Sequence, residues 1–189
     1  MRHQTQCRLR PTQVDKREDV AICTIDAKDL PPKLPVLPLE KDLSTVAVGK
    51  IVVTMGYASG PDRLLALLDE SEARAIMARY SSVEAQLNYL AEKKLIQPLT
   101  TQGNITDLDA RKIVYDARTG EGGSGAPLFG PSGRVIGVTF AIFTENTASN
   151  FAVPVRYAIA LLEREGWTAP QSFEAEQKEG ANANQANAR

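Results

Sequence analysis

The spacing of apolar residues changes twice along the chain, and the three regimes it marks predict the order of elements. Residues 5–26 read as two short strands, "TQCRLRPT" and "DVAICTID", with the polar "QVDKRE" turning between them. Pro31, Pro32, Pro35 and Pro38 then stiffen an extended connector, whose "LPVLPL" can lie over a surface but cannot donate a full ladder of hydrogen bonds. From Val46, "VAVGKIVVTMGY" reads as a pair of strands broken at Gly49, the second ending at Gly56. The period becomes helical after Pro61: Leu64, Leu65, Leu67, Leu68, Ile76 and Met77 recur on one face, and proline suits a first helical turn. A second helix is expected from Ser81, with Glu84 completing a capping box and Leu87, Leu90 and Ala91 as its apolar face.

Strand character returns with "LTTQGNITDLD", "KIVYDA", "RVIGVTFAIF" and "SNFAVPV", followed by a closing helix, "RYAIALLEREGW". These elements predict a mostly β chain carrying a helical hairpin at about 61–97. The residues after Trp167 hold too little apolar content to offset the entropy of ordering, so a disordered tail is expected over 168–189. No internal repeat is present.

Composition narrows the function classes. With 189 residues, 43% hydrophobic, the chain can bury one core of ordinary size. A formal net charge of −1 gives no electrostatic basis for nucleic-acid binding. The longest apolar run, Val135–Phe143, falls short of the ~20 residues of a spanning helix, and the start leads into no signal-peptide core, so neither membrane insertion nor export is read from these residues. Cys7 and Cys23 are too few and too far apart for a metal knuckle; they are expected to be buried thiols, unless the hairpin register sets one opposite the other.

The stretch with chemical character is "GEGGSGAPLFG", Gly120–Gly130. It is no phosphate cradle, because no Lys-Ser or Lys-Thr follows and no helix begins there. Nor does it fit the serine elbow of α/β hydrolases, since strand rather than helix follows and no histidine lies downstream. Two readings are left: an ordinary exposed turn serine, or a loop whose glycines turn backbone N–H groups inward beside the Ser124 oxygen. The second is an oxyanion hole, in which each donor can lower an acyl-transfer barrier by ~3 kcal/mol.

Together, "GGSGAPLFGPSGRVIGVTFAIF", the preceding "TQGNITDLDARKIVYDA" and the following "SNFAVPVRYAIALLE" resemble trypsin-like serine peptidases of the bacterial HtrA-like type, from about Val14 to Glu163. The resemblance implies a trypsin-like double β-barrel with an incomplete first barrel, an inserted helical hairpin and a C-terminal helix. In that frame residues 1–45 are the remnant of the first barrel and a connector, and 46–167 form the second barrel.

The resemblance implies Ser124 as nucleophile and the amides of Gly122 and Ser124 as the oxyanion hole. Asp19, in "REDVAICTID", matches the aspartate that orients the catalytic histidine; on spacing alone it would be a turn residue capping its own backbone. Phe140, Ala141 and Ile142 match the strand that pairs with an extended substrate. Arg118 and Thr119 fall where the family lines its specificity pocket, with Asn150 and Phe151 as the opposite wall. Protein or peptide substrates follow, with no metal or organic cofactor, and an exported or periplasmic setting is compatible with the family. Two departures stand out: Gly123 replaces the usual Asn or Asp, and Ala126 the second glycine of the motif.

A third departure concerns the base. The only histidine is His3, sixteen positions before Asp19, which leaves room for little more than one hairpin where the family has further strands. The expectation is therefore a chain that begins inside the first barrel without its catalytic histidine. Its open barrel edges would invite self-association. A non-catalytic peptide-binding relative is the alternative reading, and an assembly protein docking through its helical hairpin is a third.

Overall fold

The computed structural model describes residues 8–30, 34, 36–58, 60–142 and 149–168. His3, Cys7 and the expected disordered tail apart from residue 168 lie outside them, as do the side chains of Ala141 and Ile142.

Strands β1 (Arg10–Asp15) and β2 (Val20–Thr24) pair as an antiparallel hairpin. A six-stranded barrel holds β3 (Ile51–Gly56), β4 (Leu99–Leu108), β5 (Ile113–Tyr115), β6 (Pro127–Phe129), β7 (Val135–Ile142) and β8 (Asn150–Pro154). Its order is β3-β4-β5-β8-β7-β6, closed by β6 pairing back onto β3. The sequence alternates accordingly: in β3, Val52 and Thr54 point inward while Ile51 and Met55 face solvent. Val52, Ile105, Ile113, Tyr115, Leu128 and Ile136 fill the barrel with β-branched and aromatic volume. Helix α4 (Val155–Arg164) closes the chain, and its Ala158 and Leu161 pack with Val153 of β8 and Val20 of β2, so the hairpin docks on the outside of the barrel. Arg111 secures the turn of that hairpin, its Nε 3.0 Å from Glu18 Oε2 and a second guanidinium nitrogen donating to the Arg17 carbonyl at 2.8 Å.

Helices α1 (Gly60–Leu65), α2 (Glu70–Arg79) and α3 (Val83–Glu92) stand between β3 and β4 and share their own apolar cluster of Leu64, Leu65, Ile76 and Leu90. The insertion thus has three helices where the spacing predicts two, because the chain turns at Leu67–Leu68 and restarts after Asp69. The cap of α3 is Ser82 rather than Ser81: its Oγ accepts from Ala85 N at 3.2 Å.

Other expectations are also corrected. Val46–Val48 form no strand; a 3-10 turn and a bend at Gly49 (φ +82°) replace it. The Lys50 amide donates to Ala47 O at 3.1 Å, so the chain turns into β3 at Gly49 instead of running a second strand beside it. Cys23 is exposed, not buried, and pairs in register with Pro11. The connector meets the barrel at one parallel bridge, Leu39 to Val135.

Inside the barrel, the hydroxyl of the fully buried Tyr115 lies 2.9 Å from Thr139 Oγ1 and also bonds Thr54. Burial pushes the phenol above its ordinary 10.0, with the two threonine bonds opposing. The folded protein therefore holds this proton more tightly than the unfolded chain. The resulting stability is intact below pH ~10 and is lost as the pH rises through the folded value. The melting temperature of the wild type is expected to fall more steeply above pH ~10 than that of Tyr115→Phe, and parallel curves from thermal melts would contradict this.

Candidate active site

The glycine-rich loop runs from the end of β5 to the start of β6. Its backbone is fixed by three bonds: Gly123 N donates to Gly120 O at 3.0 Å, Gly125 N to Thr139 O at 2.7 Å and Ala126 N to Gly123 O at 3.1 Å. Among the described residues, the amides of Gly122 and Ser124, like those of Gly120 and Glu121, donate to no backbone carbonyl. Both residues line a hollow of about 360 Å³ that also takes in Gly120, Glu121, Thr139 and Phe140. Gly122 (φ +81°) and Gly125 (φ +86°) occupy the left-handed region, where a side chain would be strained, so the bends on either side of Ser124 depend on glycine.

The two departures from the family motif have physical counterparts. A Cβ on Gly123 would stand 2.4 Å from Thr119 Oγ1 and 2.9 Å from the Gly120 carbonyl, so the Asn or Asp usual there has no room. Ala126 is buried, and a Cβ on Gly56 would lie 2.8 Å from its methyl: the glycine missing from the loop is supplied across the sheet by β3.

The Ser124 hydroxyl is exposed and donates to the Phe140 carbonyl at 3.2 Å. Its neighbour in the sheet is Thr139, whose N–H donates to Ala126 O at 2.9 Å and whose side chain reaches the Tyr115 hydroxyl. Thr139 therefore links the loop to the barrel interior, a role that only polar residues at inward-facing strand positions (Thr54, Tyr115, Thr139) could have signalled in the sequence.

Beyond Thr139, β7 outruns β6. Ala141 pairs with Phe151 and Ile142 with Asn150 of β8, and the other edge of Phe140–Ile142 has no strand partner among the described residues. Buried Asn150 donates from Nδ2 to Ala117 O at 2.9 Å, which ties the start of β8 to the segment before Arg118. Arg118 is exposed and its carbonyl accepts from Thr101 Oγ1; Thr119 packs against Gly123. Neither borders the hollow around Ser124.

Asp19 lies in the β1–β2 turn at φ +53°, exposed, and its side chain has no hydrogen-bond or ion-pair partner among the described residues. The turn is capped by Asp15 instead, whose Oδ1 accepts from Arg17 N at 3.0 Å and Glu18 N at 3.1 Å. The next residue, Val20, belongs to the same apolar cluster as Phe140. No cluster of three metal-ligating side chains and no helix long and apolar enough to cross a membrane occurs among the described residues.

Similarity to known proteins agrees with this geometry. The crystal structure of the serine endoprotease from Yersinia pestis superposes with a TM-score of 0.56 at 21% identity, over 84% of this chain and 44% of that one. The chain thus spans less than half the length of that protein, and at this identity the likeness is one of fold. No curated protein sequence matches the chain. A family model described as a trypsin-like peptidase domain matches residues 2–138, most of the chain. On that match the chain belongs to the trypsin-like peptidases.

Proposed function

We propose that this chain carries the nucleophile and the peptide-binding face of a serine endopeptidase. An extended peptide pairs with the free edge of Phe140–Ala141–Ile142 and brings its carbonyl over Ser124. The Oγ attacks the carbonyl carbon and its proton passes to a histidine imidazole, a base that the described residues do not contain. Negative charge gathers on the oxygen between the Gly122 and Ser124 amides, the amine leaves with the proton, and water later releases the acyl group. Asp19 orients that imidazole, and Arg118 and Thr119 bear on the choice of side chain before the scissile bond.

The observation that supports this reading is that the Gly122 and Ser124 amides, on either side of the bonded Gly123, have no carbonyl acceptor and line one hollow with the Ser124 hydroxyl. Neutral turn serines need no such pattern. A second reading, a non-catalytic peptide-binding relative, draws support from the hydroxyl bond to Phe140, which gives Ser124 a carbonyl acceptor, with no base beside it among the described residues. Loss of either serine or histidine alone from such a unit costs about a million-fold in turnover, so the two readings share peptide binding and differ in chemistry. Phosphonylation of the intact protein by a fluorophosphonate, located to Ser124 by mass spectrometry and absent from Ser124→Ala, supports the peptidase reading; equal labelling of both proteins removes it.

A further inference from the structure

The hollow at Ser124 is the first of three that share lining residues. Glu121 and Gly122 also border a second hollow of about 450 Å³, whose far side is Gly60 and Asp62 at the start of the helical insertion. Asp62 in turn borders a third, of about 330 Å³, walled by Leu65, Leu68, Ala73 and Met77. The path therefore runs from the reacting oxygen past two carboxylates into an apolar groove between α1 and α2. Neither carboxylate has a hydrogen-bond or ion-pair partner among the described residues. Met77 is 50% exposed in the groove wall.

Direction follows from β7. In the proposed reading the side chain before the attacked carbonyl faces Arg118 and Thr119, whose segment Asn150 ties to the Ile142 end of β7, so the half of a peptide that precedes that carbonyl lies along Phe140–Ile142. The half that follows must leave on the other side, where Glu121 and Gly122 open toward Asp62. From this continuity and charge we infer that the helical insertion is the binding site for the leaving half of the substrate polypeptide. It selects a basic residue soon after the scissile bond and a large apolar residue beyond it. This rests on the reading of Ser124 as the point of attack. The apolar hollow is at the lower end of the range that bound groups fill, ~300–1,000 Å³, enough to hold a side chain of that kind.

Fluorescence anisotropy on the full chain tests it with three labelled peptides. One has a Val/Ala-rich first half and Arg-Arg-Ala-Leu-Leu as its second half; one has the same first half followed by Ser-Gly repeats; one is the first half alone. The Arg/Leu peptide is expected to bind about tenfold tighter than the other two. Asp62→Asn and Met77→Gln, both on exposed side chains, are each expected to weaken that peptide about threefold to fivefold while leaving the first-half peptide unaffected. Equal affinity for all three peptides, or indifference to both substitutions, overturns the inference and leaves the peptidase reading standing. If Met77→Gln instead dissociates a dimer in sedimentation and does not weaken the peptide, the groove's occupant is a second copy and the inference fails. Failure of every peptide to bind removes the peptidase reading as well.

Discussion

Leu90→Ala is expected to open the helical insertion and leave the barrel folded. Leu90 is 0% exposed, at the centre of a cluster with Leu64, Leu65 and Ile76 that shares no buried residue with the barrel core. Emptying that position removes transfer free energy and leaves a cavity, together about 2–5 kcal/mol. A three-helix unit of this size has little stability in reserve, so the loss falls on local rather than global opening. Native-state hydrogen exchange should show the amides of α1, α2 and α3 losing protection by a comparable amount, with those of β3, β5, β7 and β8 unchanged. A uniform loss across strands and helices would mean that insertion and barrel fold as one unit. The same variant should forfeit the preference for the Arg/Leu peptide.

Gly123→Asn, which restores a residue common in the family, is expected to damage this protein. The new Cβ would meet Thr119 Oγ1 at 2.4 Å and the Gly120 carbonyl at 2.9 Å. The threonine can rotate away. The carbonyl cannot, because it accepts the Gly123 amide at 3.0 Å and so fixes the turn that leaves Gly122 and Ser124 unclaimed. The overpacking costs about 1–3 kcal/mol, and relief requires the loop to shift at the residues that would hold the oxyanion. Thermal melts should show the destabilisation, and Thr119→Gly in the same chain should recover only part of it. A Gly123→Asn protein as stable as the wild type would show that the loop has another conformation within easy reach.

How far the residues announced this arrangement depends on whether the signal was local. β3, β7 and β8 were readable because each alternates or runs apolar over its own few residues, and the closing helix because Ala158 and Leu161 recur at helical spacing. Val46–Val48 misled because an apolar run of three residues says nothing about the turn that follows it, where Lys50 N bonds back to Ala47 O and carries the chain into β3. The split of the insertion into three helices was hidden by Leu67 and Leu68, which continue the helical period through a turn.

At the site, the glycines alone marked Ser124 and the Gly122 amide as candidates, and the resemblance added Asp19 as a further one. The reason for glycine at 123 was not legible, because Thr119 and the Gly120 carbonyl approach it only after the turn has closed. Ala126 likewise makes sense only beside Gly56, seventy positions earlier and adjacent in the barrel. Asp62 gave no signal at all, since an exposed aspartate in an early helical turn is ordinary. Its neighbours Glu121 and Gly122 are brought to it by the fold.

In the proposed reading the Ser124 loop is built for acyl transfer, and no proton acceptor for its hydroxyl other than the Phe140 carbonyl stands beside it among the described residues. The rate at which a fluorophosphonate labels Ser124, followed as imidazole is added to the intact chain, measures this directly. Labelling should be slow without imidazole and accelerate by about a hundredfold or more as the added base takes over the missing role, with none in Ser124→Ala. A rate indifferent to imidazole, or labelling that persists in Ser124→Ala, would contradict it.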